Sequence, residues 1–122
     1  MKNREIEFYT KLDDWWSPNG PQAQLHKFNK VRVNFLRRSI LNDALPGVSA
    51  ETYFNGLKVL DIGCGAGILA ENLARLGMGS VLAIDPTPKC IELAEEHLKR
   101  MGDRDLQEVL RYKNVTLEEL VS

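Results

Sequence analysis

Apolar positions recur at helical spacing across residues 5–16. Ile6, Tyr9 and Trp16 share a face with Asp13, and Phe8, Leu12 and Trp15 lie on the adjacent one. A broad stripe of this kind predicts an amphipathic helix. Ser17, Pro18, Asn19, Gly20 and Pro21 then concentrate breakers and predict a loop. A second helix is expected over residues 30–41, with Asn29 as N-cap and Val31, Phe35 and Leu36 turned inward. Residues 42–56 mix turn formers with few periodic apolar positions and read as a linker.

From Leu57 the pattern changes to short apolar runs alternating with amphipathic stretches. Residues 57–62 read as a buried strand. A helix follows over 68–76, with Leu69, Leu73 and Leu76 on one face and Gly77 as its stop. Residues 80–84 read as the next strand. Thr87 and Pro88 give a hydroxyl N-cap and a proline at the first helical position, and Ile91, Ala94, Leu98 and Met101 form the buried stripe before Gly102. A third strand is expected over 109–113. Strand, helix, strand, helix, strand is the first half of a doubly wound α/β sheet, and the second half is not found within these residues. The expected division is a helical cap and linker over 1–56 and a cofactor-binding half-domain over 57–122. In the expected strand order 3-2-1-4-5, the first strand is left with one bare edge.

Composition changes this picture little. The 122 residues are 43% hydrophobic and 27% charged, with 16 Lys and Arg against 17 Asp and Glu. The signs are interspersed, so no basic patch argues for nucleic-acid binding, and Arg37-Arg38 and Lys99-Arg100 read as solvated helix ends. No apolar run approaches the ~20 residues that cross a bilayer, leaving peripheral contact as the only membrane mode expected. The first residues lack the apolar core of a secretion signal and carry Glu5 and Glu7, unlike a transit peptide. Two widely spaced cysteines, Cys64 and Cys90, suggest neither a zinc site nor a disulfide framework, and both read as packing residues.

The candidate chemistry lies in residues 59–67, Val-Leu-Asp-Ile-Gly-Cys-Gly-Ala-Gly. Gly63, Gly65 and Gly67 follow a strand and open a helix, the setting in which a glycine loop lets backbone approach a ligand. A dinucleotide site favours G-x-G-x-x-G, but its third glycine is Ile68 here, and Asp61 precedes the loop. A nicotinamide cofactor is therefore disfavoured. An acid at the strand end suits an ammonium, and S-adenosylmethionine carries an amino-acid moiety and no pyrophosphate. Asp85 ends the second strand, where a carboxylate can accept from both hydroxyls of a ribose. The structural alternative is that the glycines only make a tight turn and Asp85 only begins one. The ordered coincidence of strand, acid, loop, helix and second acid favours the cofactor reading.

These residues, together with Trp15-Trp16, Pro18-Asn19-Gly20, Leu25-His26, the segment 29–32, Ile68-Leu69-Ala70-Glu71 and Ile84-Asp85-Pro86, resemble the ubiquinone-biosynthesis O-methyltransferases. The resemblance runs nearly end to end. It implies a class I, Rossmann-like methyltransferase fold and methylation of phenolic or catechol hydroxyls on polyprenylated intermediates. It implies that Gly63, Gly65 and Gly67 line the methionine portion of S-adenosylmethionine, Asp61 orients its ammonium, Asp85 holds the ribose, Arg32 meets the carboxylate, and Asn114 or Val115 flanks the adenine. Lys30 departs from the proline common in bacterial relatives, residues 43–55 form a longer stretch, and Asp85-Pro86 is closer to eukaryotic members. The implied setting is the matrix face of the inner mitochondrial membrane, with the bacterial cytoplasm as alternative. A ubiquinone-biosynthesis complex is the implied partner. Any divalent cation would have its ligands outside these residues, and no catalytic residue is assigned.

Two further groups carry open readings. Trp15 and Trp16 could anchor at a membrane interface or pack as a lid on the cofactor pocket, packing being favoured. His26 could act as a general base, although a lone His before a helix is more often structural. At the level of the whole chain, a cofactor-binding fragment without turnover stands against a noncatalytic interaction module.

Overall fold

A computed structural model describes residues 16–17 and 23–122. The expected helix over residues 5–16 therefore lies outside the described residues except for Trp16. The first described helix, α1, is Ala23–Asn42. It starts well before the expected residue 30, so Asn29 is not an N-cap but a buried interior residue. Its inward face is also rotated from expectation: Leu36, Ile40 and Leu41 pack on the core, while Val31 and Phe35 are 70% and 68% exposed. The reason is Asn29 itself. Its amide bonds to backbone of a neighbouring helix, and a satisfied buried polar group outweighs the apolar pattern in setting the helix rotation.

The expected linker contains a second helix, α2, Ala50–Asn55. Ser49 caps it by accepting from Thr52 N at 3.2 Å, and Phe54 is buried. Then follow β1 (Lys58–Ile62), α3 (Ile68–Arg75), β2 (Ser80–Ile84), α4 (Pro88–Met101), α5 (Arg104–Val109), β3 (Leu110–Lys113) and α6 (Leu117–Val121). Thr87 precedes Pro88 at the start of α4, and Gly102 ends it in the left-handed conformation. The short helices α5 and α6 were not anticipated. Asp103 and Thr116 cap them, the latter in a reciprocal capping box with Glu119.

The three strands are parallel in the order β1-β2-β3, with Asp61 level with Ala83 and Ala83 level with Tyr112. Parallel neighbours need helical crossovers, which α3 supplies for the first pair and α4 with α5 for the second. Val81, Ala83 and Leu110 alternate onto one face and form the core with Leu73, Ala74, Ile91, Leu98 and Phe54. Met101, expected to complete the buried stripe of α4, is exposed. So is part of β1: Leu60 and Ile62 are 45% and 54% exposed on the face opposite Val59, which packs on the core. A run that reads as fully buried is buried on one side only, and β1 is an edge strand. No described helix is long and apolar enough to cross a membrane.

Candidate functional site

The carboxyl ends of β1 and β2 meet beneath the loop 63–67. Gly63, Gly65 and Gly67 all take positive φ, at 74°, 57° and 88°, which a side chain resists. The N–H groups of Gly63 and Cys64 both donate to Ile84 O, at 2.8 and 2.9 Å, tying the loop to the end of β2. Gly67 N donates back to Cys64 O at 3.1 Å. At Gly67 a second constraint applies, because a Cβ there would overlap the Tyr112 hydroxyl.

Asp85 stitches three elements together. Its Oδ2 accepts from Gly65 N and its Oδ1 from Thr87 N, both at 2.9 Å, and the residue is buried. Asn114 Nδ2 donates to the Asp85 carbonyl at 3.0 Å. Each carboxylate oxygen thus has one backbone donor and keeps acceptor capacity for another.

Asp61 is different. Its Oδ2 is buried with no hydrogen-bond partner among the described residues. Burial pushes its carboxyl up to about 6, a rise opposed by the Arg32 guanidinium and reinforced by the Asp85 charge. An orphaned anionic oxygen beside a glycine loop fits a cationic donor, as an ammonium group provides.

Arg32 reaches this neighbourhood through Asn29. The Arg32 Nη2 donates to Asn29 Oδ1 at 3.0 Å, and Asn29 Nδ2 donates to Ile68 O at 3.5 Å, at the start of α3. Asn29 therefore couples α1 to the glycine loop and aims Arg32. Asn29→Ala is expected to cost roughly 1–3 kcal/mol in stability by stripping a buried hydrogen-bond pair, and to leave Arg32 without its guide. Urea titration measures the first effect, and an unchanged midpoint would contradict it.

Trp16 lies over the loop. Its Nε1 donates to Ala66 O at 2.9 Å, and its ring stacks on His97 with centroids 3.6 Å apart. Trp15 falls outside the described residues. His26 lies against the indole, its ring tilted by 58° with centroids 5.6 Å apart. His97 Nδ1 donates to Glu71 Oε2 at 2.7 Å, and Arg75 donates to Glu71 Oε1 at 2.9 Å. In the sequence Glu71 belongs to a stretch that carries the family resemblance, without a role of its own, and His97 carries no signal. The Glu71–Arg75 pair has legible four-residue spacing, but His97 lies 26 residues from Glu71 in sequence. Cys64 and Cys90 are both free and buried. Burial pushes both thiols up, Cys90 to about 12, so neither is an activated nucleophile. Beside Gly63, a shallow cleft is lined by Ile62, Ile84, Pro86, Val115 and Leu117.

The structure thus gathers Asp61, the three glycines and Asp85 at one end of the sheet, with Arg32 on α1 near enough for its charge to act on Asp61. Residues 59–119, half of the chain, match the family model described as a methyltransferase domain. The chain belongs to this methyltransferase-domain family. Among curated relatives, the ubiquinone biosynthesis O-methyltransferase of Methylocella silvestris is 48% identical over 95 residues, covering 74% of this chain and 37% of the relative. The mitochondrial ubiquinone biosynthesis O-methyltransferase of Bos taurus is 37% identical over 120 residues, covering 98% of this chain and 31% of the relative. The chain therefore spans well under half the length of these relatives. A solved structure from Pyrococcus horikoshii, described as that of an RNA methyltransferase, superposes with a TM-score of 0.55 at 16% identity, covering 93% of this chain and 50% of that one. That likeness concerns the fold, a partial Rossmann-like methyltransferase domain. Within the methyltransferase domain, the matched residues begin at β1 and run through the glycine loop, Asp85 and β3.

Proposed function

We propose that this methyltransferase domain binds S-adenosylmethionine and is the cofactor-holding part of an O-methyltransferase of ubiquinone biosynthesis. The observation that carries the reading is the buried, partnerless oxygen of Asp61 beside a loop of three positive-φ glycines. An ammonium at Asp61 satisfies that oxygen, and Arg32 on the adjacent helix suits the α-carboxylate of the same amino-acid moiety. In this reading the remaining acceptor capacity of Asp85 serves the ribose hydroxyls, and Val115, which lines the neighbouring cleft, flanks the adenine. A nicotinamide dinucleotide fits less well, because its pyrophosphate would meet the Asp61 charge.

Bound S-adenosylmethionine supplies a sulfonium methyl group. Transfer of that methyl to a phenolic or catechol oxygen would leave the sulfur electron pair on S-adenosylhomocysteine and release the hydroxyl proton to a base or to water. This chain's residues contribute by fixing the cofactor and hence the line of attack, which is the larger share of catalysis for a displacement between two bound reactants. The acceptor class, a polyprenylated phenol or catechol, follows the relatives' names and the sequence resemblance, as does a setting at the inner mitochondrial membrane or in a bacterial cytoplasm. Peripheral membrane contact and docking on a ubiquinone-biosynthesis complex belong to the same reading. No divalent-metal site is assigned: among the described residues no group of three His, Cys, Asp or Glu side chains is gathered.

The test is calorimetric titration of the 122-residue chain with S-adenosylhomocysteine and, separately, with NADH. Saturable binding of the first and none of the second is expected, with no methyl transfer to a catechol by the chain alone. Binding of NADH in preference overturns the reading. A second reading, a noncatalytic docking module, is favoured by the edge position of β1 and the exposure of Leu60 and Ile62. Its mark is recovery of a defined biosynthetic partner by a chain that does not bind S-adenosylhomocysteine.

A further inference from the structure

The residue just before the breaker-rich loop makes a contact fifty residues on, at the middle of the cofactor loop. The Trp16 indole donates from Nε1 to Ala66 O at 2.9 Å. Its ring lies flat on the His97 imidazole, the planes 2° from parallel. Behind His97 stands Glu71, 1% exposed, with one oxygen held by His97 and the other by Arg75. A buried carboxylate with both oxygens occupied is a fixed support. The imidazole orientation is set by Glu71, and the indole orientation by the imidazole.

What the indole holds is a peptide plane. The Ala66 carbonyl and the Gly67 N–H belong to one planar unit. Trp16 takes its oxygen, and Cys64 O accepts its N–H at 3.1 Å. The Cys64 carbonyl shares a plane with the Gly65 N–H, which donates to Asp85 Oδ2 at 2.9 Å. The loop peptides 64–65 and 66–67 are thus interlocked, and Trp16 holds the second of them. Without it, the peptide 66–67 has glycine on one side and a small alanine on the other, a pair that permits a flip at little steric cost.

We propose that Trp16 is a positioning residue for the cofactor loop: clamped on the His97–Glu71 pair, its indole N–H holds the 66–67 peptide in the orientation that receives the ligand. The proposal rests on the S-adenosylmethionine reading for its consequence in binding, but not for its consequence in the loop. Trp16 thereby becomes part of the cofactor site rather than packing alone.

The experiment compares Trp16→Phe, which keeps ring stacking and removes the indole N–H, with His97→Gln, which keeps the indole and removes its platform. Both are made in the 122-residue chain. Each is read by calorimetry with S-adenosylhomocysteine, by thermal melting and by hydrogen exchange at the Gly67 amide. Trp16→Phe is expected to lower affinity about tenfold, the equivalent of one net hydrogen bond, and to speed Gly67 exchange severalfold. Its melting temperature should fall by no more than a few degrees. His97→Gln should shift both loop readouts in the same direction and be less than additive with Trp16→Phe.

Unchanged affinity and unchanged Gly67 exchange in Trp16→Phe overturn the proposal, as does an affinity loss matched by equal destabilisation with no change in loop exchange. If the unmodified chain binds no S-adenosylhomocysteine, the cofactor reading fails. Faster Gly67 exchange in the variants then still supports the clamp, and unaltered exchange still defeats it.

Discussion

Asp61→Asn is expected to make the folded chain more stable at pH 7.5 while weakening its hold on the cofactor. The folded carboxyl titrates near 6 against an ordinary value of 3.8, chiefly because burial penalises its charge. The stability linked to this group is therefore fully present below about pH 3.8 and is lost as pH rises through about 6. Above that, the chain carries a carboxylate that burial disfavours. At ~1.4 kcal/mol per pKa unit, a shift of about two units corresponds to roughly 3 kcal/mol. The asparagine amide is itself a buried group short of partners, which returns about 1 kcal/mol of that gain. A net stabilisation of roughly 2 kcal/mol should appear in urea denaturation at pH 7.5 and shrink towards pH 5. Ligand affinity should move the other way. Losing a charge-assisted bond to an ammonium costs roughly 1.5–3 kcal/mol, a fall of about ten- to a hundredfold. In the unmodified chain, affinity should decline below about pH 6 as Asp61 takes up a proton, and the variant should lose that dependence. A variant less stable than the parent at pH 7.5, or one that binds equally well, would remove Asp61 from the site.

That opposition between stability and binding explains why Asp61 could be found in the sequence at all. A carboxylate at the end of an apolar strand, just before three spaced glycines, breaks the local rule that strand ends in a core stay uncharged, and such violations mark function. Asp85 was legible for the same reason. What the sequence conceals is how thoroughly Asp85 is engaged, since its bonds to Gly65 N and Thr87 N depend on two turns closing together. Arg32 was reached only through family resemblance. Its guide, Asn29, looked like a helix cap because it is a good capping residue at the edge of an apolar pattern, yet the helix starts at Ala23. Glu71 and His97 meet only after α3 and α4 pack side by side, and no spacing rule links positions 26 apart.

The elements themselves show a parallel division. β2 and the bounds of α4 follow the pattern closely, because apolar runs, Thr87-Pro88 and Gly102 are local signals, although the Thr87 side chain makes no capping hydrogen bond to the first turn. The inward face of α1 does not, since Phe28, Val31 and Phe35 form an apolar stripe that the fold leaves exposed. Tertiary contact through Asn29, not periodicity, sets the rotation of that helix. β1 reads as a buried strand because Val59, Leu60 and Ile62 are all apolar. Among the described residues only one face is covered, and Leu60 and Ile62 show the other. Hydrophobicity records which positions tolerate burial, and only packing determines which receive it.

Gly67→Ala is expected to be the most damaging single methyl addition in the loop, and its cause can be separated into two parts. The backbone at Gly67 holds φ at 88°, which costs an alanine roughly 1–2 kcal/mol. The new Cβ must also displace the Tyr112 hydroxyl and its ring carbon Cζ. Tyr112 cannot retreat easily, because it is packed against the core from β3. Together these put the loss at roughly 3–4 kcal/mol, with ligand binding reduced in step as the loop shifts. Tyr112→Phe divides the two causes. The Tyr112 hydroxyl is buried with no partner among the described residues, so removing it alone should be neutral or mildly stabilising. In combination with Gly67→Ala it removes the nearest clashing atom but leaves the Cζ contact and the backbone strain. The double variant should therefore recover about half of the stability lost by Gly67→Ala, a coupling of roughly 1–2 kcal/mol in a double-mutant cycle. Strict additivity would show that the hydroxyl does not press on the loop and that backbone strain, with the ring contact that phenylalanine keeps, makes position 67 a glycine. Full recovery would show the reverse, that the left-handed turn tolerates a side chain once the tyrosine beneath it gives way.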